Sequence, residues 1–149
     1  MNKWDLIPNN SPEKQKLDNP ENWKPEFLDF VPVVNLSALT GYGLSELMEQ
    51  VRQVSLEQQQ WFRTSALNQS LREMVRRHAP PQYRGREVKF YYATQTDIRP
   101  PTFTLFVNYV KGVPTSYERY LVHQLRSSLK LDHSPIRLAL RARRERRGD

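Results

Sequence analysis

Val88-Lys89-Phe90-Tyr91-Tyr92-Ala93 and Phe103-Thr104-Leu105-Phe106-Val107-Asn108 are two runs in which the side chains alternate in character, and Pro100-Pro101 separates them. Alternation with a period of two is typical of a strand that buries one face. The residues expected on the buried faces are Val88, Phe90 and Tyr92 in the first run and Phe103, Leu105, Val107 and Tyr109 in the second. The sequence therefore predicts two strands joined by a loop.

Helices are predicted before and after this pair of strands. The first is expected at about 64–78, where Thr64 can serve as N-cap and Pro80-Pro81 ends the helix because proline has no amide donor. Its apolar face consists of Leu67, Leu71, Met74 and Val75. The second begins at Thr115, which with Glu118 has the spacing of a capping box. We expect core packing rather than base stacking for its apolar side, which carries Tyr117, Tyr120, Leu121, Leu125 and Leu129.

A third strand is predicted after Ser134-Pro135. The residues expected on its buried face are Ile136, Leu138 and Leu140, which alternate with Arg137, Ala139 and Arg141. Helix, strand, strand, helix, strand is an α+β order, in which helices cover a small sheet. We assign this domain to residues 58–143, a separate segment to residues 1–57, and a basic tail to residues 144–149.

The first residues of the chain, Met1-Asn2-Lys3-Trp4-Asp5, contain the spacing Asn-Lys-x-Asp, which is the guanine-recognition motif of GTPases. The Asp5 carboxylate can accept hydrogen bonds from guanine N1–H and from the exocyclic amine together, and Asn2 can bond the base edge. Adenine offers neither this pair of donors nor a carbonyl oxygen. We therefore predict that Asn2, Lys3 and Asp5 contact guanine.

A second segment is predicted to complete this site. Residues 30–36 form a short apolar run that predicts a buried strand, and Ser37-Ala38 follow at its carboxyl end, where ligands bind in α/β sheets. We therefore predict Ser37 and Ala38 as guanine contacts, with the Ala38 amide donating to O6. The residues with helical spacing after this loop are Leu44, Leu47, Met48 and Val51. Residues 9–26, rich in Pro, Asn, Lys and Glu, are expected to form a mobile loop or linker.

The sequence lacks the parts that phosphoryl transfer requires. It contains no Gly-x-x-x-x-Gly-Lys-Ser/Thr phosphate loop and no Asp-x-x-Gly switch motif. It has no cysteine, and His78, His123 and His133 show no metal-ligand spacing. We therefore predict no catalytic residue, no metal site and no GTP hydrolysis by the isolated chain. Because no stretch has the length and apolarity of a membrane span or signal peptide, we expect a cytoplasmic protein without a membrane partner.

Charge is divided unevenly along the chain. Residues 1–55 carry 5 Lys/Arg and 8 Asp/Glu, whereas residues 56–149 carry 18 and 8, so the net charge of +7 arises from the second part. This asymmetry indicates a polyanionic partner, with RNA as the first candidate, although a solvated basic face gives the same balance. The candidate contacts lie in an Arg-rich end, whose alternative is a frayed, solvated tail. They are Arg137, Arg141, Arg143, Arg144, Arg146 and Arg147.

Several strings in residues 58–143 carry a resemblance. They include Tyr91-Tyr92-Ala93-Thr94-Gln95, Pro100-Pro101-Thr102-Phe103, Leu105-Phe106-Val107-Asn108, Ser116-Tyr117, Arg119-Tyr120-Leu121 and Pro135-Ile136-Arg137-Leu138. These strings resemble the carboxyl-terminal KH-like domain of the bacterial Der (EngA) GTPase family. Asn2-Lys3-Trp4-Asp5 and Ser37-Ala38-Leu39-Thr40-Gly41 look like the last two nucleotide motifs of that family's second GTPase domain, so residues 1–57 resemble its last strand and helix.

The resemblance implies a ribosome-biogenesis GTPase that acts in assembly of the large ribosomal subunit. GTP or GDP with Mg²⁺ would be the cofactors of the complete protein, and the isolated chain would need none. The implied partners are the large subunit or its precursor, through rRNA, and the GTPase domains of the complete protein. Two alternatives stay open: a stand-alone, non-catalytic KH-like module that binds rRNA or a GTPase partner, and the remnant of a truncated gene.

The KH comparison also limits how RNA could be bound. KH domains grip single-stranded RNA with a Gly-x-x-Gly loop. The sequence contains no such loop. An RNA contact would therefore have to use other residues, with the Arg-rich end as the remaining candidate.

Overall fold

The computed structural model describes residues 1–143. The chain divides into two compact units, of which the first is Met1–Glu57 and the second begins at Gln58, and each is described by itself. Within the described residues, no helix combines the length and apolarity needed to cross a bilayer.

The first unit consists of helices and turns. Its short 3-10 helices are Trp4–Leu6, Pro20–Asn22 and Glu26–Leu28, and its α-helices are α1 at Pro12–Asp18 and α2 at Leu44–Glu57. Helix α2 confirms the helix that the apolar spacing predicts after the Ser37-Ala38 loop. Its apolar residues remain on the surface, since Met48 is 66% and Val51 54% exposed.

Helix α1 lies where a mobile loop is predicted, so that prediction is wrong for residues 12–18. Ser11 Oγ accepts a hydrogen bond from the Lys14 amide at 3.1 Å, which caps the helix. Pro12 occupies the first turn, where its missing amide removes no helical hydrogen bond. The Pro-rich, polar composition thus belongs to a capped helix start.

The strand predicted over residues 30–36 is not formed. Leu36 N–H donates to Met1 O at 2.8 Å and Trp4 N–H donates to Leu36 O at 3.0 Å, so hydrogen bonds to the first residues of the chain occur near the end of this run. A strand requires a ladder of such bonds along its length. These few bonds still place the end of the apolar run beside residues 1–5, which contain the first predicted guanine-binding loop.

The second unit has the predicted order helix, strand, strand, helix, strand, and the α+β class is confirmed. Its elements are α3 at Thr64–Arg77, β1 at Phe90–Ile98, β2 at Pro101–Val107, α4 at Thr115–Leu129 and β3 at Arg137–Ala142. Among the described residues, the three strands form one sheet with β2 in the centre. Strand β2 is antiparallel to β1 and parallel to β3, and α4 makes the crossover that a parallel pair requires.

Helices α3 and α4 build the core of this unit with the strands. The buried core includes Leu67, Leu71, Met74, Ala93, Phe103, Leu105, Val107, Tyr117, Leu121 and Leu125. Leu138 and Leu140 of β3 pack against this cluster. The predicted inward residues of β2 and β3 are therefore confirmed.

Strand β1 departs from the predicted alternation at a β-bulge. The register with β2 shifts between Phe90 and Tyr92, which inserts Tyr91 as an extra residue. Ala93 is consequently buried, whereas Tyr92, which alternation places on the buried face, is 42% exposed. The prediction for Tyr92 is wrong because a strict period of two cannot represent an inserted residue.

The two helix starts are not capped as predicted. Thr64 is the first helical residue of α3, and Thr115 is the first helical residue of α4 after Pro114. Neither start has a side-chain cap. A cap must precede the first helical residue, so the predicted capping box of Thr115 with Glu118 does not form.

The tyrosines of α4 satisfy the end of α3. Tyr117 Oη donates to His78 O at 2.6 Å, and Tyr120 Oη donates to Met74 O at 2.9 Å. The last carbonyls of a helix have no partner within the helix. The predicted core packing of these rings is confirmed. Tyr117 gives the His78 carbonyl a partner just past the end of α3, and Tyr120 adds a second hydrogen bond to Met74 O, which also accepts from His78 N–H at 3.0 Å.

Two side-chain amides secure β1. Asn68 of α3 exchanges two hydrogen bonds with the Ala93 backbone, each at 2.9 Å, and within residues 1–143 no strand pairs with the outer edge of β1. The buried Gln95 side chain accepts from Phe62 N–H at 2.9 Å and donates to Gln60 O at 2.9 Å. The segment that leads into α3 is thereby fixed to the sheet.

Candidate guanine-binding site and sheet surface

The first loop is shaped by Asn2 and Lys3. Lys3 has a left-handed backbone, with φ of 64°, and its amide donates to Asn2 Oδ1 at 2.7 Å. Trp4 then enters the short 3-10 helix and is buried, being 6% exposed. The buried indole anchors the loop, while Asn2, Lys3 and Asp5 stay exposed on either side of it.

The second loop is held by Ser37, which is 1% exposed. Its Oγ accepts from Thr40 N–H at 3.2 Å, and its carbonyl accepts from Gly41 N–H at 2.9 Å. Gly43 follows with φ of +74°, and a Cβ there would lie 2.2 Å from Asn35 O. Only glycine fits such a close backbone approach, so the loop is fixed from both ends.

The two predicted guanine loops meet through one hydrogen bond. Ala38 N–H donates to Asn2 Oδ1 at 3.1 Å. Because Lys3 N–H donates to the same oxygen, Asn2 Nδ2 is the donor left for a ligand. The Ala38 amide, predicted to reach guanine O6, is here directed at Asn2.

A cleft of about 490 Å³ opens beside these loops. Asp5 and Ser37 line it, whereas Asn2, Lys3 and Ala38 are not part of its lining. Other lining residues are Trp4, Lys14, Thr40 and Tyr42. The volume lies within the range of small-molecule sites, roughly 300–1,000 Å³.

Lys14 is a lining residue that the sequence interpretation missed. Its Nζ lies 5.4 Å from the Trp4 ring centroid and donates to Asn9 Oδ1. Helix α1 places Lys14 at the cleft. Because residues 9–26 were predicted to be a loop, this position of Lys14 could not be inferred. The capping pair of Ser11 and Pro12 was the signal that could have revealed it.

The predicted RNA-contact residues lie on and after β3. Arg137 and Arg141 are exposed, and the Arg143 guanidinium lies 4.6 Å from the Tyr91 ring centroid. Arg144, Arg146 and Arg147 lie outside the described residues. The sequence did not indicate Tyr91 or Tyr92 for this surface, because the β-bulge that exposes both side chains cannot be recognised from the alternation of apolar and polar residues.

The family described as KH-domain-like of EngA bacterial GTPase enzymes, C-terminal, matches residues 62–141. These residues contain α3, β1, β2, α4 and all but the end of β3. The chain belongs to the EngA family. The matched KH-like region lies within the second unit, and the predicted resemblance is confirmed.

Relatives that carry the name GTPase Der extend the EngA similarity to the first unit. The protein of Syntrophobacter fumaroxidans is 40% identical over 149 residues, which cover 99% of this chain and 33% of that protein. The protein of Syntrophotalea carbinolica is 40% identical over 146 residues, with 98% and 33% covered. That of Desulforapulum autotrophicum is 37% identical over 143 residues, with 96% and 29% covered. The chain spans about a third of the length of these relatives.

The cleft of this EngA-family chain offers a paired acceptor to a ligand, because the Asp5 carboxylate can accept two hydrogen bonds from the donors of a base edge. Asn2 Nδ2 is a further donor, but Asn2 lies outside the residues that line the cleft, and the Ala38 amide is bonded to Asn2 Oδ1. The lining does not suit phosphates with Mg²⁺, because it contains Asp5 as its one carboxylate and no glycine-rich loop. Among residues 1–143, no cluster of three or more His, Asp or Glu could hold a metal.

Proposed function

We propose that this chain supplies the guanine-binding end and the KH-like domain of a GTPase that acts in assembly of the large ribosomal subunit in the cytoplasm. The observation that carries the proposal is the hydrogen bond from Ala38 N–H to Asn2 Oδ1, which joins the two predicted guanine loops. The GTPase names of the relatives support it. GTP or GDP and Mg²⁺ are bound by the complete protein, whose other parts supply the phosphate and metal ligands.

The test uses a chimera in which this chain replaces the matching third of the Syntrophobacter fumaroxidans GTPase Der. Asp5→Asn should lower GTP affinity about 100-fold, since two charge-assisted hydrogen bonds are lost. The same change should raise affinity for xanthosine triphosphate, because an amide can donate to the oxygen that replaces the guanine amine. Equilibrium binding of both nucleotides is the measurement.

Asp29→Asn is the matched control, since Asp29 is exposed and does not line the cleft. It should leave both affinities unchanged. If Asp5→Asn behaves like this control, the assignment of Asp5 to the base is wrong.

A second candidate is a stand-alone, non-catalytic KH-like module that binds rRNA or a GTPase partner. The observation in its favour is that the second unit has its own buried core. This candidate predicts that the chimera fails to bind GTP while the chain itself binds rRNA. Nucleotide binding by the unmutated chimera therefore separates the two.

A further inference from the structure

The sheet of the second unit has an outer face, opposite the face covered by α3 and α4. Cross-strand pairing aligns Tyr92, Phe106 and Arg141 in one row across the three strands. Arg137 lies on the same side of β3 as Arg141, two alternations earlier. The outer face is defined here by Tyr91, Tyr92, Phe106, Arg137, Arg141 and Arg143.

Aromatic rings cover one end of the outer face. The Tyr92 and Phe106 rings stack with centroids 4.3 Å apart and an interplanar angle of 16°. Tyr91 and Tyr92 are each 42% exposed, although they are consecutive, because the β-bulge interrupts the alternation. Both phenol rings therefore present surface to solvent.

The charged groups that accompany these rings are predominantly cationic. Arg143 N–H donates to Val107 O at 3.1 Å, and its guanidinium lies over Tyr91. Among residues 1–143, no carboxylate forms an ion pair with Arg137 or Arg141. Asp97, the acid within the strands, has its Oδ1 bonded to the Ile98 amide at 2.7 Å. The face combines exposed rings with positive charge.

We propose that the outer face binds an unpaired segment of RNA, with bases stacked on Tyr91 and Tyr92 and phosphates held by Arg141 and Arg143. The proposal rests on the proposed function in assembly of the large ribosomal subunit and names a surface through which the chain would contact rRNA. Aromatic rings accept any base face, and guanidinium groups bind phosphate oxygens in pairs. A duplex would not serve, because its bases are stacked on each other.

Single-stranded RNA fits this face better than an apolar protein surface does. The Arg143 guanidinium lies over Tyr91, and Arg141 ends the row that begins with Tyr92, so a purely apolar partner would leave these charges without water or a counter-ion. RNA supplies a phosphate for each nucleotide and a ring for each tyrosine. The Gly-x-x-Gly loop of other KH domains is absent from the sequence, so this route does not depend on it.

The test measures anisotropy of a fluorescein-labelled oligouridylate with the 149-residue chain. Tyr91→Leu and Tyr92→Leu should each lower affinity about 5- to 150-fold, because leucine keeps apolar bulk and loses the stacking face. Tyr92→Phe should retain binding, since the ring is preserved. Ultraviolet crosslinking of the bound RNA should attach to the peptide that contains Tyr91 and Tyr92.

Charge is tested with a matched pair of variants. Arg141→Gln should lower affinity and flatten its salt dependence, whereas Arg119→Gln, an exposed arginine of α4, should do neither. The urea midpoint of every variant shows whether that variant remains folded. Because Tyr91 is not part of the Tyr92–Phe106 ring pair, Tyr91→Leu tests base stacking while that pair stays in place.

Three results would overturn the proposal: no binding of oligouridylate, equal affinity of both leucine variants and the original chain, or crosslinks that map elsewhere. Loss of affinity in Arg141→Gln alone would also overturn stacking while leaving electrostatic docking intact. Binding to purified large-subunit particles is measured separately. If the chain binds the particles but does not bind oligouridylate, the outer face is rejected as the RNA surface, whereas the proposed function is not.

Discussion

Tyr117 places a phenol in the core of the second unit, where it is 3% exposed. Burial, and after it the neighbouring Tyr120, raises the pKa of Tyr117 to about 12. The neutral phenol is thus favoured in the folded chain, in which it donates to His78 O. The pKa of an unfolded tyrosine is about 10.

This difference predicts a loss of stability at high pH. Below pH 10 both states keep the proton and the contribution is complete, whereas between pH 10 and about 12 the unfolded chain ionises first. The free energy of unfolding should therefore fall by about 2 kcal/mol more than in Tyr117→Phe over this interval. Urea denaturation of both proteins across this pH range measures it. Tyr42→Phe is the control, because Tyr42 is 59% exposed, and its free energy of unfolding should change with pH as that of the original chain does. If the free energy of unfolding of Tyr117→Phe also follows the original chain over this range, the prediction is contradicted.

The residue types predicted for the candidate base site derive from the chemistry of guanine, and they stay predictions. A paired acceptor at Asp5 and an amide at Ala38 follow from the donors and the carbonyl of the base. The contact between Ala38 and Asn2 could not be predicted, since it depends on backbone hydrogen bonds that bring position 36 beside position 1. Lys14 was missed for a related reason, because a helix cap decides its location.

At the scale of elements, Asn68 joins α3 to β1. Its side-chain amide bonds both backbone groups of Ala93, a residue 1% exposed on an edge strand. Asn68→Ala should lower the free energy of unfolding by about 2–4 kcal/mol, because two backbone groups lose their partners without reaching water. Gln69→Ala is the control, since Gln69 is exposed and should change stability little. Equal urea midpoints for the two variants would refute this role of Asn68.

Elements with a sustained apolar period were predicted well. Helices α3 and α4 and the three strands follow from spacing, because the residues that repeat also fill the core. Helix α2 also follows from its spacing, although its apolar residues stay on the surface. The failures have local causes. The run 30–36 has strand composition without a continuous neighbour, and β1 contains an inserted residue at Tyr91. Pattern alone reports neither the neighbours of a segment nor a change of register.

At the scale of the whole molecule, we expect the division of charge to govern the proposed association with a polyanion. We expect replacement of Arg137, Arg141 and Arg143 by glutamine to weaken binding to purified large-subunit particles. The slope of log affinity against log salt should become shallower by about 2, since each phosphate contact contributes about 0.7. Arg72, Arg76 and Arg77, exposed on α3, give a matched triple replacement that should leave the slope unchanged. Indistinguishable binding curves for the original chain and the first triple variant would exclude docking through these residues.

The central position of β2 has a consequence for synthesis of the chain. The hairpin of β1 and β2 can form as soon as residue 107 is available, but the parallel partner β3 comes only with residues 137–142. Until then one edge of β2 is unpaired, next to the apolar side chains of Phe103 and Leu105. Unpaired edges of this kind template intermolecular pairing. A chain that ends before Arg137 would therefore be an aggregation-prone product, with the β3 edge of β2 left open.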